Sequence, residues 1–129
     1  MNKIIVEVSI GELLDKISIL EIKKEKIKDS EKLKFITNEH SILKNQLKEN
    51  LKSDDKLENL YQSLKEINAK LWVIEDDKRQ CEKEKDFGEK FIKLSRDVHF
   101  LNDDRAKIKL EINNHTGSVI KEIKEYTSY

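Results

Sequence analysis

The sequence contains no proline, only three glycines and a single cysteine in 129 residues, and aromatic side chains make up 6% of it. Without proline nothing in the chain breaks a helix outright, and Gly11, Gly88 and Gly117 all stand at apparent helix ends. Cys81, being alone, excludes an internal disulfide and the usual cysteine-rich structural zinc site. No run of 18 apolar residues occurs, so no membrane span is expected. The apolar N-terminal run Ile4-Ile5-Val6 meets Glu7 too early to be a signal-peptide core, and a cytoplasmic location is expected. Charge of one sign is also missing. The 26 Lys and Arg balance 26 Asp and Glu, which leaves no net attraction to nucleic acid or to an anionic membrane.

What the chain does have is 40% charged residues and 36% hydrophobic ones, arranged with helical spacing over almost its whole length. Ser9 followed by Glu12 forms a capping-box signature, and Ile10, Leu13, Ile17, Leu20 and Ile27 carry a stripe over residues 10–28. Asp29-Ser30-Glu31 reads as a turn and new cap, after which Leu33, Ile36, His40, Leu43 and Leu47 define a second helix over 31–52. Asp55 and Glu58 open a third, 56–84, with Leu57, Leu60, Leu64, Ile67, Leu71, Ile74 and Cys81 on one face. Asp86 and Glu89 open a fourth, 87–113, striped by Phe87, Phe91, Leu94, Val98, Leu101, Ile108 and Ile112. Val119, Ile120, Ile123 and Tyr126 predict a short C-terminal helix over 119–126. Residues 1–9, with the β-branched Ile4-Ile5-Val6, read as an extended arm. The expected architecture is one all-α domain, 1–129. It is an antiparallel four-helix bundle of two helical hairpins, flanked by the N-terminal extended segment and the short terminal helix. Helices three and four should overhang the others by about 10 Å or more, and their apolar seams suit a homodimer.

Charged residues inside apolar stripes need partners, because an unpaired buried charge is costly. With the turn near residue 85, facing positions on helices three and four have numbers summing to about 171. That register puts Glu75 opposite Arg96, Glu66 opposite Arg105 and Asn68 opposite Asp103. Trp72, Glu75, Asp76 and Arg79 share one face of helix three, and Arg96, Asn102, Asp103 and Arg105 cluster on helix four. Together these eight form a candidate ligand-binding patch. Arginines can hold phosphate, carboxylates can hold a divalent ion, and Trp72 can stack on a base or sugar. The competing reading is an ion-pair network around a half-buried tryptophan.

Other motifs carry no chemistry in this context. Asp86-Phe87-Gly88 matches the kinase triad in letters, with no glycine-rich loop or strand lysine beside it. His40, His99 and His115 lack two-histidine metal spacing, so no metal site and no cofactor are implied. Cys81 on its apolar stripe reads as a small core residue. Glu21 and Glu25 share a face, as in helical nucleotide pyrophosphohydrolases, but those enzymes need matched acidic pairs on two neighbouring helices.

Several stretches bear a resemblance that covers nearly the whole chain: Ser9-x-Gly11-Glu12-Leu13-Leu14-Asp15-Lys16, Ile19-Leu20-Glu21-Ile22-Lys23, Leu71-Trp72-x-Ile74-Glu75-Asp76 with Arg79, Asn102-Asp103-x-Arg105-Ala106 with Lys109, and Gly117-Ser118 with Glu122, Lys124 and Tyr126. They resemble a small bacterial and phage family catalogued as a domain of unknown function. The resemblance implies a link to surface-glycan assembly by gene neighbourhood and supplies no catalytic residues. Where that family has a tyrosine shortly before the Asn-Asp pair, this chain has His99-Phe100. Two function classes follow. One is a non-catalytic helical interaction module, a dimer that binds a protein partner. The other is a bundle that binds or transforms a phosphorylated small molecule, with a divalent cation where the chemistry needs one.

Overall fold

The computed structural model describes residues 2–129 and contains four helices: α1 (Ile10–Lys26), α2 (Ser30–Asn50), α3 (Asp55–Glu84) and α4 (Glu89–Thr116). The fold is the all-α, four-helix bundle that the periodicity implies. Local chemistry sets the ends. Ser9 Oγ accepts the Glu12 N–H at 3.0 Å, Asp29 Oδ1 accepts those of Glu31 and Lys32, and Asp54 Oδ1 accepts that of Leu57 at 2.8 Å. Asp54 therefore caps α3, one residue ahead of the expected Asp55. At the other ends, Lys85 and Gly117 adopt the left-handed conformation, with φ of 56° and 67°, and reverse the chain after α3 and α4.

Short connections make consecutive helices antiparallel. The α3–α4 hairpin is the frame. α1 lies in its groove and approaches all three other helices, while the backbone of α2 comes close only to α1. The core gathers Leu14, Leu57, Leu64 and Ile112, with Leu47, Leu51 and Tyr61 packed at its edge. No residue of α2 is fully buried. α3 and α4 have 30 and 28 residues against 17 in α1, so the hairpin extends about 15 Å or more past the end of α1 as a two-helix arm. Cys81 is fully buried in the seam of that arm.

Residues 119–126 do not form the expected helix; the chain beyond Gly117 has no regular secondary structure. Eight residues are too few to hold a helix unaided. Ser118, the natural cap for such a helix, instead accepts the Ile10 N–H and donates to the Ile120 carbonyl. The tail then lies along α4, fixed by Glu122 on Lys109 and by Tyr129 on Asp103. At the other terminus, residues 2–8 have no regular secondary structure and stand away from the core: Ile4 is 91% exposed and Ile5 83%.

Candidate functional site

The most densely built polar region lies where α1 crosses α3 and α4. Asp15 is 2% exposed, and its carboxylate receives the Arg105 guanidinium through Nε at 2.9 Å and through Nη2. Asn68 Nδ2 donates to Asp15 Oδ1 at 2.9 Å and to Ser18 Oγ at 2.8 Å, which joins α3 to the same centre. One turn further along α4, Lys109 Nζ reaches Glu12 at 2.8 Å, Glu122 at 3.2 Å and Asp15 at 4.0 Å. A single connected cluster therefore ties α1, α3, α4 and the C-terminal tail together. Two cations face three carboxylates in it.

The first turn of α1 is closed by the same cluster. Its backbone donors without an intrahelical partner are those of Ile10, Gly11 and Glu12, which go to Ser118 Oγ at 3.1 Å, Asn113 Oδ1 at 2.7 Å and Ser9 Oγ at 3.0 Å. A helix N-terminus is ordinarily ready to take an anion, but here side chains of the chain itself fill that position. Gly11 permits the contact. A β-carbon there would stand 2.6 Å from the Lys109 carbonyl oxygen. Glu12, expected to complete the capping box, instead faces Lys109.

Electrostatics follow from this geometry. Burial pushes the Asp15 carboxyl up, but hydrogen bonds from Arg105 and Asn68 and the charges of Arg105 and Lys109 outweigh it and leave the pKa lowered. The hydrogen bond to Asp15 raises Arg105 against the opposing effect of burial. Burial lowers Lys109, and its acceptors Glu12 and Glu122 with the charge of Asp15 more than reverse that. A second, smaller cluster lies on the α1–α2–α3 side. There Glu21 accepts from Tyr61, meets His40 at 3.3 Å and stands 3.9 Å from Lys65. Burial and the Glu21 contact raise the Tyr61 hydroxyl, which stays protonated as a donor.

The eight sequence-derived site residues divide. Trp72, Glu75, Asp76, Arg79 and Arg105 line one open cleft of about 390 Å³ with Ile19, Asn68 and Leu71. Arg96, Asn102 and Asp103 do not line it. Arg96 lies over the Phe100 ring at 5.9 Å, Asp103 accepts from the Tyr129 hydroxyl, and Asn102 Oδ1 lies 3.4 Å from Arg105 Nη1. None of the three cross-helix pairs forms. Glu75 bonds Arg79 one turn away at 3.0 Å, Arg105 pairs with Asp15, and Asn68 serves Asp15 and Ser18. The hairpin register itself holds, since Ile74 with Asp97 and Lys70 with Leu101 line one groove. Arg105 and Asn68 turn from their expected partners because α1 fills the hairpin groove and brings Asp15 to both.

Reasoning from sequence missed Glu12, Asp15, Ser18, Lys109, Asn113 and Glu122. A signal was present. Arg105, Lys109 and Asn113 recur every four residues, and Glu12, Asp15 and Ser18 every three, so each set forms a polar stripe on a helix face. Among the described residues, no group of three or more His, Cys, Asp or Glu side chains is placed to hold a metal ion.

The sequence model of the family of unknown function DUF6165 matches residues 4–129. The chain belongs to that family. No curated protein and no solved structure matches it. Within this DUF6165 member, Ile10, Gly11, Glu12 and Asp15 of the Ser9–Lys16 stretch meet Ser118, Arg105 and Lys109, and Lys109 in turn meets Glu122 of the C-terminal stretch.

Proposed function

We propose that this chain is a non-catalytic helical interaction module that works as a homodimer. The reading rests on one contrast. The charged side chains at the heart of the molecule are committed to one another, whereas apolar side chains are left uncovered at its periphery. Arg105, Lys109, Asp15, Glu12 and Glu122 pair within the crossing, and the first-turn donors of α1 are occupied. Ile4, Ile5 and Val6 on the arm and Val73, Phe87 and Ile92 on the hairpin are exposed. In the setting of surface-glycan assembly, such a module would hold an assembly enzyme in place through its protruding hairpin. Light scattering on the purified chain at tens of micromolar tests the self-association: a mass of two chains is expected, and a single-chain mass overturns it.

The cleft beside Trp72 favours a second reading, a site for a phosphorylated small molecule such as a nucleotide or sugar nucleotide. Trp72 would supply the stacking wall, Arg79 the anion contact and Asp76, which is exposed, a position for a divalent cation. A thermal-shift panel with magnesium checks it. A rise in melting temperature that Asp76→Asn abolishes, without lowering the unliganded melting temperature, supports the site; no rise with any member removes it.

A further inference from the structure

Asn68 brings an unfilled hydrogen-bonding capacity to the cleft beside Trp72. The residue is 5% exposed, and its amide N–H groups are spent on α1, on Asp15 Oδ1 at 2.9 Å and Ser18 Oγ at 2.8 Å. A carboxylate only accepts, so this orientation of the amide is fixed. The Asn68 Oδ1 then accepts from no described residue. It is not sealed off either, since Ser95 Oγ is the one sealed side-chain atom without a partner among the described residues, and Asn68 lines the cleft. We infer that the cleft takes a neutral, hydroxyl-rich ring, the sugar portion of a phosphorylated ligand, with one hydroxyl donating to Asn68 Oδ1 and the ring face on Trp72. This rests on the second reading above and says which part of such a ligand goes inward.

Charge selects a neutral donor at the inner end. An anion gains little there. Arg105 is committed, with Nε and Nη2 on Asp15 and Nη1 3.4 Å from Asn102 Oδ1, and an ionised phosphate oxygen has no proton to give Asn68. A cation is disfavoured as well. Asn68 and Arg105 both donate to Asp15 Oδ1, which sets the guanidinium beside the amide. A hydroxyl satisfies the oxygen and brings no charge with it.

The rest of the cleft suits a ring with hydroxyls around its edge. Asn68, Trp72 and Asp76 succeed one another along α3 about 6 Å apart, so the indole lies between a buried acceptor and an exposed one. A pyranose offers C–H bonds on its faces to the indole and hydroxyls around most of its perimeter. A nucleobase carries polar atoms on only part of its edge. Arg79 stands at the open end with its side chain 73% exposed. Glu75 holds its Nη1 at 3.0 Å, and the remaining N–H groups are left for the ligand's phosphate. At about 390 Å³ the cleft falls within the range of small-molecule sites.

Trp72 is the only tryptophan in the chain, so its fluorescence reports on this cleft directly. The probes are the methyl glycosides of glucose, galactose and N-acetylglucosamine, the uridine diphosphate derivatives of the same sugars, and uridine diphosphate alone. Each is titrated with magnesium present, up to about 10 mM. A saturable change in emission is expected with at least one diphosphate sugar, about tenfold or more tighter than with uridine diphosphate. Arg79→Gln, at the exposed end, should weaken the diphosphate sugar severalfold and leave the methyl glycoside unaffected. Removing one ring hydroxyl at a time from the tightest sugar probe should cost about tenfold at one position, the hydroxyl on Asn68. Equal affinity across that deoxy series overturns the inference. So does uridine diphosphate binding as tightly as its sugars, which leaves the phosphorylated-ligand reading standing with another part of the ligand in the cleft. Methyl glycosides as tight as the diphosphate sugars support the sugar seat and remove the phosphate from that reading. No change in emission with any probe overturns both.

Discussion

At Gly11 the two long-separated ends of the chain come into closest contact. Its N–H bonds Asn113 Oδ1, and its missing side chain leaves room for the Lys109 carbonyl. The obstacle to a side chain is backbone, so it cannot swing aside as a rotamer would. Gly11→Ala should therefore separate α1 from α4 and destabilise the fold by roughly 1–3 kcal/mol, read as a lowered urea midpoint. Helix propensity alone would have favoured alanine, so the sign of the effect discriminates. This contact was only half legible in the sequence. Gly11 beside the Ser9 cap looked like an ordinary helix-end glycine, and nothing local shows that Asn113 lies 102 residues away in contact with it. Asp15 was hidden for the same reason. A carboxylate between Leu14 and Lys16 on an amphipathic helix reads as solvent-facing unless that helix is covered on two sides.

The helices themselves were legible because their causes are local. Apolar spacing, Asp and Ser caps and the absence of proline act within a few residues, and the four elements follow from them. The C-terminal segment shows the limit of that method. Its Val119, Ile120, Ile123 and Tyr126 have helical spacing, yet the tail gains more by sending Ser118 to α1 and Glu122 to Lys109. Unequal burial among the helices has a measurable consequence. α1 contributes Leu14, Ile17, Leu20 and Ile22 to the interior, whereas α2 buries no residue fully. Amide hydrogen exchange should accordingly show α2 opening at lower free energy than α1 and the proximal halves of α3 and α4. Equal protection across all four helices would mean that α2 is held by more than the contacts described here.

Across the whole molecule, the Asp15 crossing joins three helices and the tail, and together with the Glu21–Tyr61 cluster it sets the response to pH. Asp15, Glu21 and Glu122 have lowered pKa values in the folded chain. Their contribution to stability is present in full above the ordinary carboxylate range and is lost as pH falls through the lowered values, so the urea midpoint should drop below about pH 4. Lys109 and Tyr61 are raised, so their contribution is complete below about pH 10 and is lost as pH climbs beyond it. The packing order behind this crossing was the least legible feature. The register of α3 against α4 could be counted, but the seating of α1 in their groove depends on three helices at once. The register of two helices alone puts Glu66 opposite Arg105, where the third helix supplies Asp15.

Asp15 and Arg105 hold the helix crossing together as a buried ion pair. A double-mutant cycle of Asp15→Ala and Arg105→Ala in urea tests it most directly. Arg105→Ala alone leaves the buried Asp15 carboxylate with Asn68 and the more distant Lys109 as its partners and should cost about 3 kcal/mol. The double variant should cost much less than the sum of the two single changes, with a coupling of roughly 2–3 kcal/mol. A coupling below about 0.5 kcal/mol, with the two losses simply adding, would mean that the pair does not hold the crossing.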